Sequence, residues 1–501
     1  MMYFCVKYYP MRLVYLLAFA FLFLFSCGTA EVQPTVTTDA VVDSFSLFKP
    51  VASNFDNRTV IIPEGYKYDI IYTAGIDSVL RADGKKFAAR ESADFTAYIP
   101  IDGSNEHGYL YVNHESKNLD DNLGDGGGGA LLEIKKENGT WKTLAIKHID
   151  FAPVGGTLRN CGGTLTPQNT ILTAEETEPS NNAALTGEYR DTSNFKGLKR
   201  YQNFGWMVEV DPISGKALHK LYAMGRYEHE DAHIMADNKT VYLTDDATPA
   251  VFFKFVADTA GVYTSGQLYA YKQSADGESG EWLTLPRDKD SLLIARDVAI
   301  RLGATLFVRH EWVDGVGDKI YISETGNNEY NLDRAVGLGA KPSNYFNACC
   351  HKGENNYSDL YGRVLELDLN TLKMRPLVAG GDITGTLAGN FASPDGMYLG
   401  KVNGKNYLMI NEDLIGNTNN RVGEPGLAKD EVYNEIYFLD LDNPNPTAND
   451  LKRFLIGPEG CETTGTMFTP DGKTMFVSIQ HPNKNNPAPF NKTVVIAITG
   501  F

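Results

Sequence analysis

Six phrases in this sequence close a run of alternating apolar residues on polar, mostly acidic, side chains. They are Tyr109-Leu-Tyr-Val-Asn-His-Glu115, Thr170-Ile-Leu-Thr-Ala-Glu175-Glu176, Val241-Tyr-Leu-Thr-Asp245-Asp246, Lys319-Ile-Tyr-Ile-Ser-Glu324, Tyr407-Leu-Met-Ile-Asn-Glu412-Asp413 and Met475-Phe-Val-Ser-Ile-Gln480-His481. Carboxylates gathered in a partly dry space repel one another and take up protons unless multivalent cations compensate them. Hard oxygen donors suit calcium. Acids also follow strands in ordinary turns, where they satisfy backbone groups. Here the turns already carry markers, in Pro167-Gln-Asn, Ala236-Asp-Asn, Asp314-Gly-Val-Gly, Ser393-Pro-Asp-Gly and Thr469-Pro-Asp-Gly, which favours tips that meet at one place.

Other chemistry-bearing residues stand beside these tips. Asn160-Cys161-Gly-Gly precedes Glu175-Glu176, Arg226-Tyr-Glu-His229-Glu230 precedes Asp245-Asp246, and Arg309-His310-Glu311-Trp312 precedes Glu324. Cys461-Glu462 precedes the last tip. Singly, each reads as an ordinary turn with an ion pair, and a lone Cys is more often a small buried hydrophobe than a ligand.

The elements that must position these residues are strands. From about Tyr66 onward, short β-branched and aromatic runs alternate with Gly, Asp, Asn and Pro turns, the texture of antiparallel sheet. The tips recur at roughly 60 to 90 residues, enough for about four strands and an inserted loop per unit, so the repeat predicts an all-β, six-bladed propeller with a few short helices. Phrases such as Trp206–Asp211, Arg363–Asp368 and Glu435–Asp440, each followed by a second strand, read as outer hairpins. Equivalent strands run in the same sense around a propeller channel, which brings their tips to one mouth. Residues 59–501 are therefore expected to form a single domain. One helical stretch, Asp290–Arg301, is expected to pack on the rim and buttress Arg309.

Composition limits the partners. The chain has 501 residues, 46 basic and 63 acidic side chains and a formal charge of −17. Such a field repels polyanions, so no nucleic-acid partner is expected, while cations are attracted. Lys7 and Arg12 precede an apolar run, Leu13–Phe25, that ends in Leu24-Phe-Ser-Cys27. As a helix that run rises only about 20 Å, short of a roughly 30 Å hydrocarbon core. Residues 1–26 read as a lipoprotein-type signal peptide, Cys27 as the lipid-anchored residue and 27–58 as an N-terminal tether. An exported bacterial cell-envelope lipoprotein, attached to the membrane through that anchor, is expected. Cys349 and Cys350 lie in a polar loop and are given no function.

Taken in order, these segments resemble the PhoX family of bacterial alkaline phosphatases. The carriers are Asn160–Pro167 through Glu175-Glu176, Gly225–Glu230, Tyr242–Asp246 through Phe253–Val256, Arg309–Trp312, Phe391–Gly396, and Gly457–Gly465 followed by Phe468–Gly472 and Ile479–Pro482. The resemblance spans roughly residues 60 to 500. It implies a propeller whose channel mouth holds two irons and calcium, and a monomer that hydrolyses small phosphate monoesters outside the cytoplasm. On this resemblance Cys161, a soft thiolate, would bind iron with Glu230 and Glu311 as harder partners. Glu115, Glu175, Glu176, Asp246, Glu324 and Glu462 would share calcium and bridging positions. Arg309 would be the catalytic phosphate clamp, its planar fork matching two phosphoryl oxygens. His310 stands where the family usually has Pro and would add a phosphate contact. Ala174 replaces a Cys common in relatives, and the leader lacks the twin arginines many of them carry. Two other readings remain open from the residues alone: a calcium-dependent propeller lactonase or esterase, and a non-catalytic calcium-stabilised surface binding propeller.

Overall fold

The computed structural model describes residues 45–501 apart from 53, 55–56, 117–122, 125, 186–192, 327–361, 381–390 and 415–432. The leader, Cys27 and the Cys349-Cys350 pair lie outside the described residues. Among the described residues, twenty-seven strands form six sheets, and the α-helices are Lys289–Leu292 and Ala295–Leu302.

The sheets are the blades of a propeller. Each begins with an inner strand that contacts the inner strands of its neighbours around the ring. The inner strands are Ala93–Pro100, Asn160–Leu165, His229–Ile234, His310–Val316, Pro394–Val402 and Glu462–Phe468. The second strands are the ones whose ends carry the six tip phrases, and the proposed outer hairpins are the third and fourth strands of blades two, four and five. Blade one is widened to six strands and blade three to five. The ring closes where Lys67–Thr73 pairs antiparallel with Val494–Thr499, so the first strand of the chain completes the last blade. This removes the free ends a sheet would otherwise present.

Blade faces are apolar because both are covered. Buried clusters such as Leu110, Val112, Leu132, Trp141 and Phe476 fill the space between blades one and six, and Leu243, Phe253 and Phe255 pack with Met207 and Leu172 between blades three and two. Part of the segment read as the tether, 27–58, packs on the propeller. Phe48 is buried against Phe438 and Phe454, and Val51 N–H donates to the Arg453 carbonyl, because these aromatic side chains complete the apolar edge of blade five.

The helical stretch is broken into two short helices. Its N-cap is Asp288, whose carboxylate accepts from Ser291 N–H at 3.0 Å, rather than the Asp290 region. Arg296, on the second helix, reaches Asp245 at 2.9 Å, Glu178 at 3.3 Å and Glu228 at 3.3 Å, so the helix supports the tip of blade three.

Candidate metal centre at the channel mouth

The same local geometry recurs in five of the six blades and explains why the ligand-type residues converge. In blades one to five, the first residue of the inner strand pairs with the first residue of the tip: Ala93 with His114, Asn160 with Glu175, His229 with Asp245, His310 with Glu324 and Pro394 with Glu412. The register then slips by one residue, a β-bulge. The residue at the start of each bulge is Asp94, Cys161, Glu230, Glu311 or Asp395. A bulge bends its strand and redirects a side chain, and here all five turn into the channel. In blade six the bulge falls later, after Thr464, and Glu462 itself lines the chamber.

A second regularity fixes the tips. The residue after the paired one donates its N–H to a carbonyl at the head of the inner strand: Glu115 to Ser92 (2.9 Å), Glu176 to Arg159 (3.1 Å), Asp246 to Glu228 (2.9 Å), Thr325 to Arg309 (3.1 Å) and Asp413 to Ser393 (3.0 Å). Four of these acceptors are non-glycine residues in the left-handed region: Ser92, Arg159, Arg309 and Ser393, with φ of 57°, 48°, 52° and 50°. Such backbone is costly, and it clusters at functional sites. Gly162 follows from the crowding, since a Cβ there would lie 2.3 Å from the Glu230 carbonyl of the next blade.

Successive strand residues face opposite ways, so each two-residue tip divides its labour. Glu115, Glu176, Asp246 and Asp413 point into the channel. The preceding residue points into the blade. Glu175 is fully buried against Lys220 and also accepts from Thr157, and Glu324 is fully buried against Arg363 and accepts from Val308 N–H at 2.9 Å. These two carboxylates, expected as metal ligands, are blade anchors instead. His310 corrects a further expectation: it is fully buried, its ring lies 4.2 Å from that of Phe307, and it faces away from the cavity. Removing one member of such a buried pair strands the other charge, so Lys220→Ala is expected to cost about 3–5 kcal/mol in chemical denaturation.

Two connected spaces make the site. An inner chamber of about 40 Å³ is lined by Asp94, Glu115, Cys161, Glu176, Glu230, Asp246, Arg309, Glu311, Asp395, Asp413 and Glu462. It opens to a mouth of about 460 Å³ that adds Ser92, Ser116, Arg159, Gln480 and His481. A cleft of similar volume beside Trp206, Leu198 and Leu292 is lined by no carboxylate or thiol, so chemistry rather than size identifies the centre.

The chamber is electrostatically unbalanced without cations. Single carboxylate oxygens of Glu230, Glu311 and Asp395 lie within 4.8 Å of one another, as do those of Asp94, Glu115 and Glu462. A third group joins Asp413 and Glu462 to a ring nitrogen of His481. Burial first, and the Glu311 and Asp395 charges after it, push Glu230 well above the usual carboxylate range. Burial and then Glu462 do the same to Asp395. Burial and then Glu115 push Asp94 up to about 8. Burial raises the Cys161 thiol, and Glu230 raises it further. Its Sγ lies 3.5 Å from the carbonyls of His229 and Glu230.

Only two guanidinium groups answer these acids among the residues lining the two spaces. Arg309 Nε lies 2.8 Å from Asp246, and its Nη2 is 2.8 Å from Glu311 Oε1, in an ion pair whose angle leaves that oxygen with no hydrogen bond. Arg159 pairs with Glu176 at 2.6 Å and with Glu115 at 3.3 Å. The donor set, nine carboxylates and one thiol around a small buried chamber, fits several cations.

A pH dependence follows for the metal-free protein. A carboxyl whose folded pKa exceeds its unfolded value of about 3.9 gives stability that is lost as pH rises through the folded pKa. For Asp94 the loss runs from about pH 4 through about 8. Melting of chelator-treated protein should therefore shift downward across that range, and added calcium should remove most of the trend.

Sequence reasoning missed Asp94, Asp395, Asp413 and Arg159. Ser393-Pro-Asp-Gly reads as a turn in the sequence, but Pro394–Val402 is the inner strand and the turn follows at Asn403-Gly404. Asp413 stands in a tip phrase, but neither it nor Glu412 is among the residues expected to bind metal. Asp94 lies at the head of the first inner strand, and aligning all six inner strands on the residue before the tip would have found it.

Fold and site together define a closed six-bladed β-propeller with a polycarboxylate, thiol-containing centre at one mouth. The chain belongs to the family of alkaline phosphatase PhoX, which matches residues 46–483. Its activity class is that of a phosphatase. Among solved structures, Pseudomonas fluorescens PhoX in complex with vanadate, a transition state analogue, matches with a TM-score of 0.68 at 21% identity, over 90% of this chain and 97% of that one. Trypanosoma rangeli sialidase (TM-score 0.38, 10% identity, 87% of this chain and 60% of that one) and a Xanthomonas campestris gluconolactonase (0.33, 11%, 86% and 99%) align only loosely. No curated protein matches the chain significantly.

Proposed function

We propose that the protein is an iron- and calcium-dependent phosphomonoesterase that releases phosphate from small organic phosphate esters outside the cytoplasm. The observation that carries this reading is the convergence of Cys161, Glu230, Glu311 and Asp395 with Arg309 in one buried chamber. A soft thiolate among hard oxygens suits iron at the Cys161 side. The remaining carboxylates, Asp94, Glu115, Glu176, Asp246, Asp413 and Glu462, suit calcium and bridging positions. When bound, such cations neutralise a phosphate dianion and acidify a water for attack.

The chain's own residues do the rest. Arg309 is held by its left-handed backbone with its fork over Asp246 and Glu311, and it takes two phosphoryl oxygens once cations satisfy those carboxylates. Its charge is secure, because burial opposes it but Asp246 and Glu311 more than reverse that effect. The inner strands wall the chamber from bulk water, which strengthens each electrostatic contact inside. Export and anchoring at Cys27 rest on Lys7, Arg12, the Leu13–Phe25 run and the Leu24–Cys27 ending. They supply calcium at extracellular levels and place the site beside external esters.

Turnover of a chromogenic phosphate monoester by purified protein tests the reading. Activity should fall on chelation and return with calcium and ferric iron. Activity indifferent to chelation, or turnover of lactones with none on phosphate esters, would overturn it.

A further inference from the structure

We propose that Arg159 is a second substrate-binding arginine, which grips phosphoryl oxygen beside Arg309 and makes the site selective for the dianionic phosphate of a monoester; this rests on the phosphatase reading above. Arg159 and Arg309 occupy the same structural position, in blades two and four. Each stands two residues before a chamber residue, Cys161 or Glu311. Each has a left-handed backbone, with φ of 48° and 52°, and a carbonyl that accepts from the blade's own tip. Both side chains line the 460 Å³ mouth and remain partly open to it, Arg159 at 31% and Arg309 at 23%. The equivalent residues of the other blades are Ser92, Glu228, Ser393 and Gly460, so no other blade presents a cation there.

The two arginines are also held alike. Arg159 spans Glu176 and Glu115 as Arg309 spans Asp246 and Glu311. Its Nε is buried with no hydrogen-bond partner. Glu115 and Glu176 are proposed cation ligands, and once their oxygens serve cations the Arg159 fork retains donors and no acceptor. An anion in the mouth is the natural partner. A monoester phosphate offers three non-bridging oxygens and two charges, whereas a diester offers two oxygens and one charge. One bidentate fork engages both non-bridging oxygens of a diester, and the third oxygen and second charge that a second fork would meet exist only on a monoester or on inorganic phosphate.

The test uses metal-loaded protein carrying Arg159→Ala, with Arg159→Asn as a second variant because Asn tolerates left-handed backbone. Inorganic phosphate binding by calorimetry, metal content per chain, and kcat/KM on p-nitrophenyl phosphate and bis(p-nitrophenyl) phosphate are compared with wild type. Loss of a charge-assisted contact predicts roughly tenfold or greater weakening of phosphate binding and of monoester kcat/KM, with metal content unchanged and the diester rate much less affected. Equal losses on both esters, or a loss of metal in step with activity, would overturn the proposal by making Arg159 a support for Glu115 and Glu176. Wild-type monoester turnover with an unaltered Arg159 variant overturns this inference alone. No wild-type turnover of either ester overturns both it and the phosphatase reading.

Discussion

Replacement of Arg309 by Ala should lower kcat/KM for a phosphate monoester by about 10²–10³, the cost of removing one preorganised donor to developing charge. Arg309 has φ of 52°, its carbonyl accepts from Thr325 N–H, and its own N–H donates to the Ala247 carbonyl at 2.8 Å, so the backbone aims the side chain before substrate arrives. Among the described residues that line the inner chamber, no other is cationic. Arg309→Lys retains charge but loses the planar fork, and it should recover only part of the loss. Steady-state kinetics with metal content measured in parallel checks the prediction. A variant with wild-type kcat/KM would remove Arg309 from substrate binding.

The second large effect is a reversal of sign at Glu230. Its carboxyl is almost completely buried, with oxygens close to those of Glu311 and Asp395, and its charge is opposed by burial and by both neighbours. In chelator-treated protein Glu230→Gln removes that repulsion and should raise the melting temperature. In metal-loaded protein the same change removes a cation ligand and should lower it. A cation present at a hundred times its Kd contributes about 2.7 kcal/mol to the folded state, so the two arms are readily separated. Melting that falls equally in both states would mean that Glu230 serves the fold rather than a metal.

Much of this architecture was readable because it repeats. The tip phrases gave six blades, since period-two strands and their turns recur with few competing signals. The channel acids Glu115, Glu176 and Asp246 end those tip phrases, whereas Glu462 came from the Gly457–Gly465 segment before the last tip. The errors at Glu175 and Glu324 came from the pleat itself. Adjacent acids look equivalent in sequence, yet one faces the channel and the other faces Lys220 or Arg363 inside the blade. Blade four shows this most clearly, because its channel-facing tip residue is Thr325 and its acid is the anchor. Asp94 and Asp395 were harder to see, because a bulge that redirects one side chain leaves little trace in hydropathy. His310 was misplaced for the related reason that it begins its strand and pairs with Glu324, which turns its ring into the apolar packing around Phe307 and Phe252.

The most direct single measurement is an anomalous-scattering map, collected at the iron edge, from crystals of the protein as purified from its native cells. Iron peaks are expected in the inner chamber, bounded by Cys161 Sγ and the carboxylates of Glu230 and Glu311. A chamber without anomalous density, with Cys161 Sγ still directed only at the carbonyls of Ala174, His229 and Glu230, would contradict it.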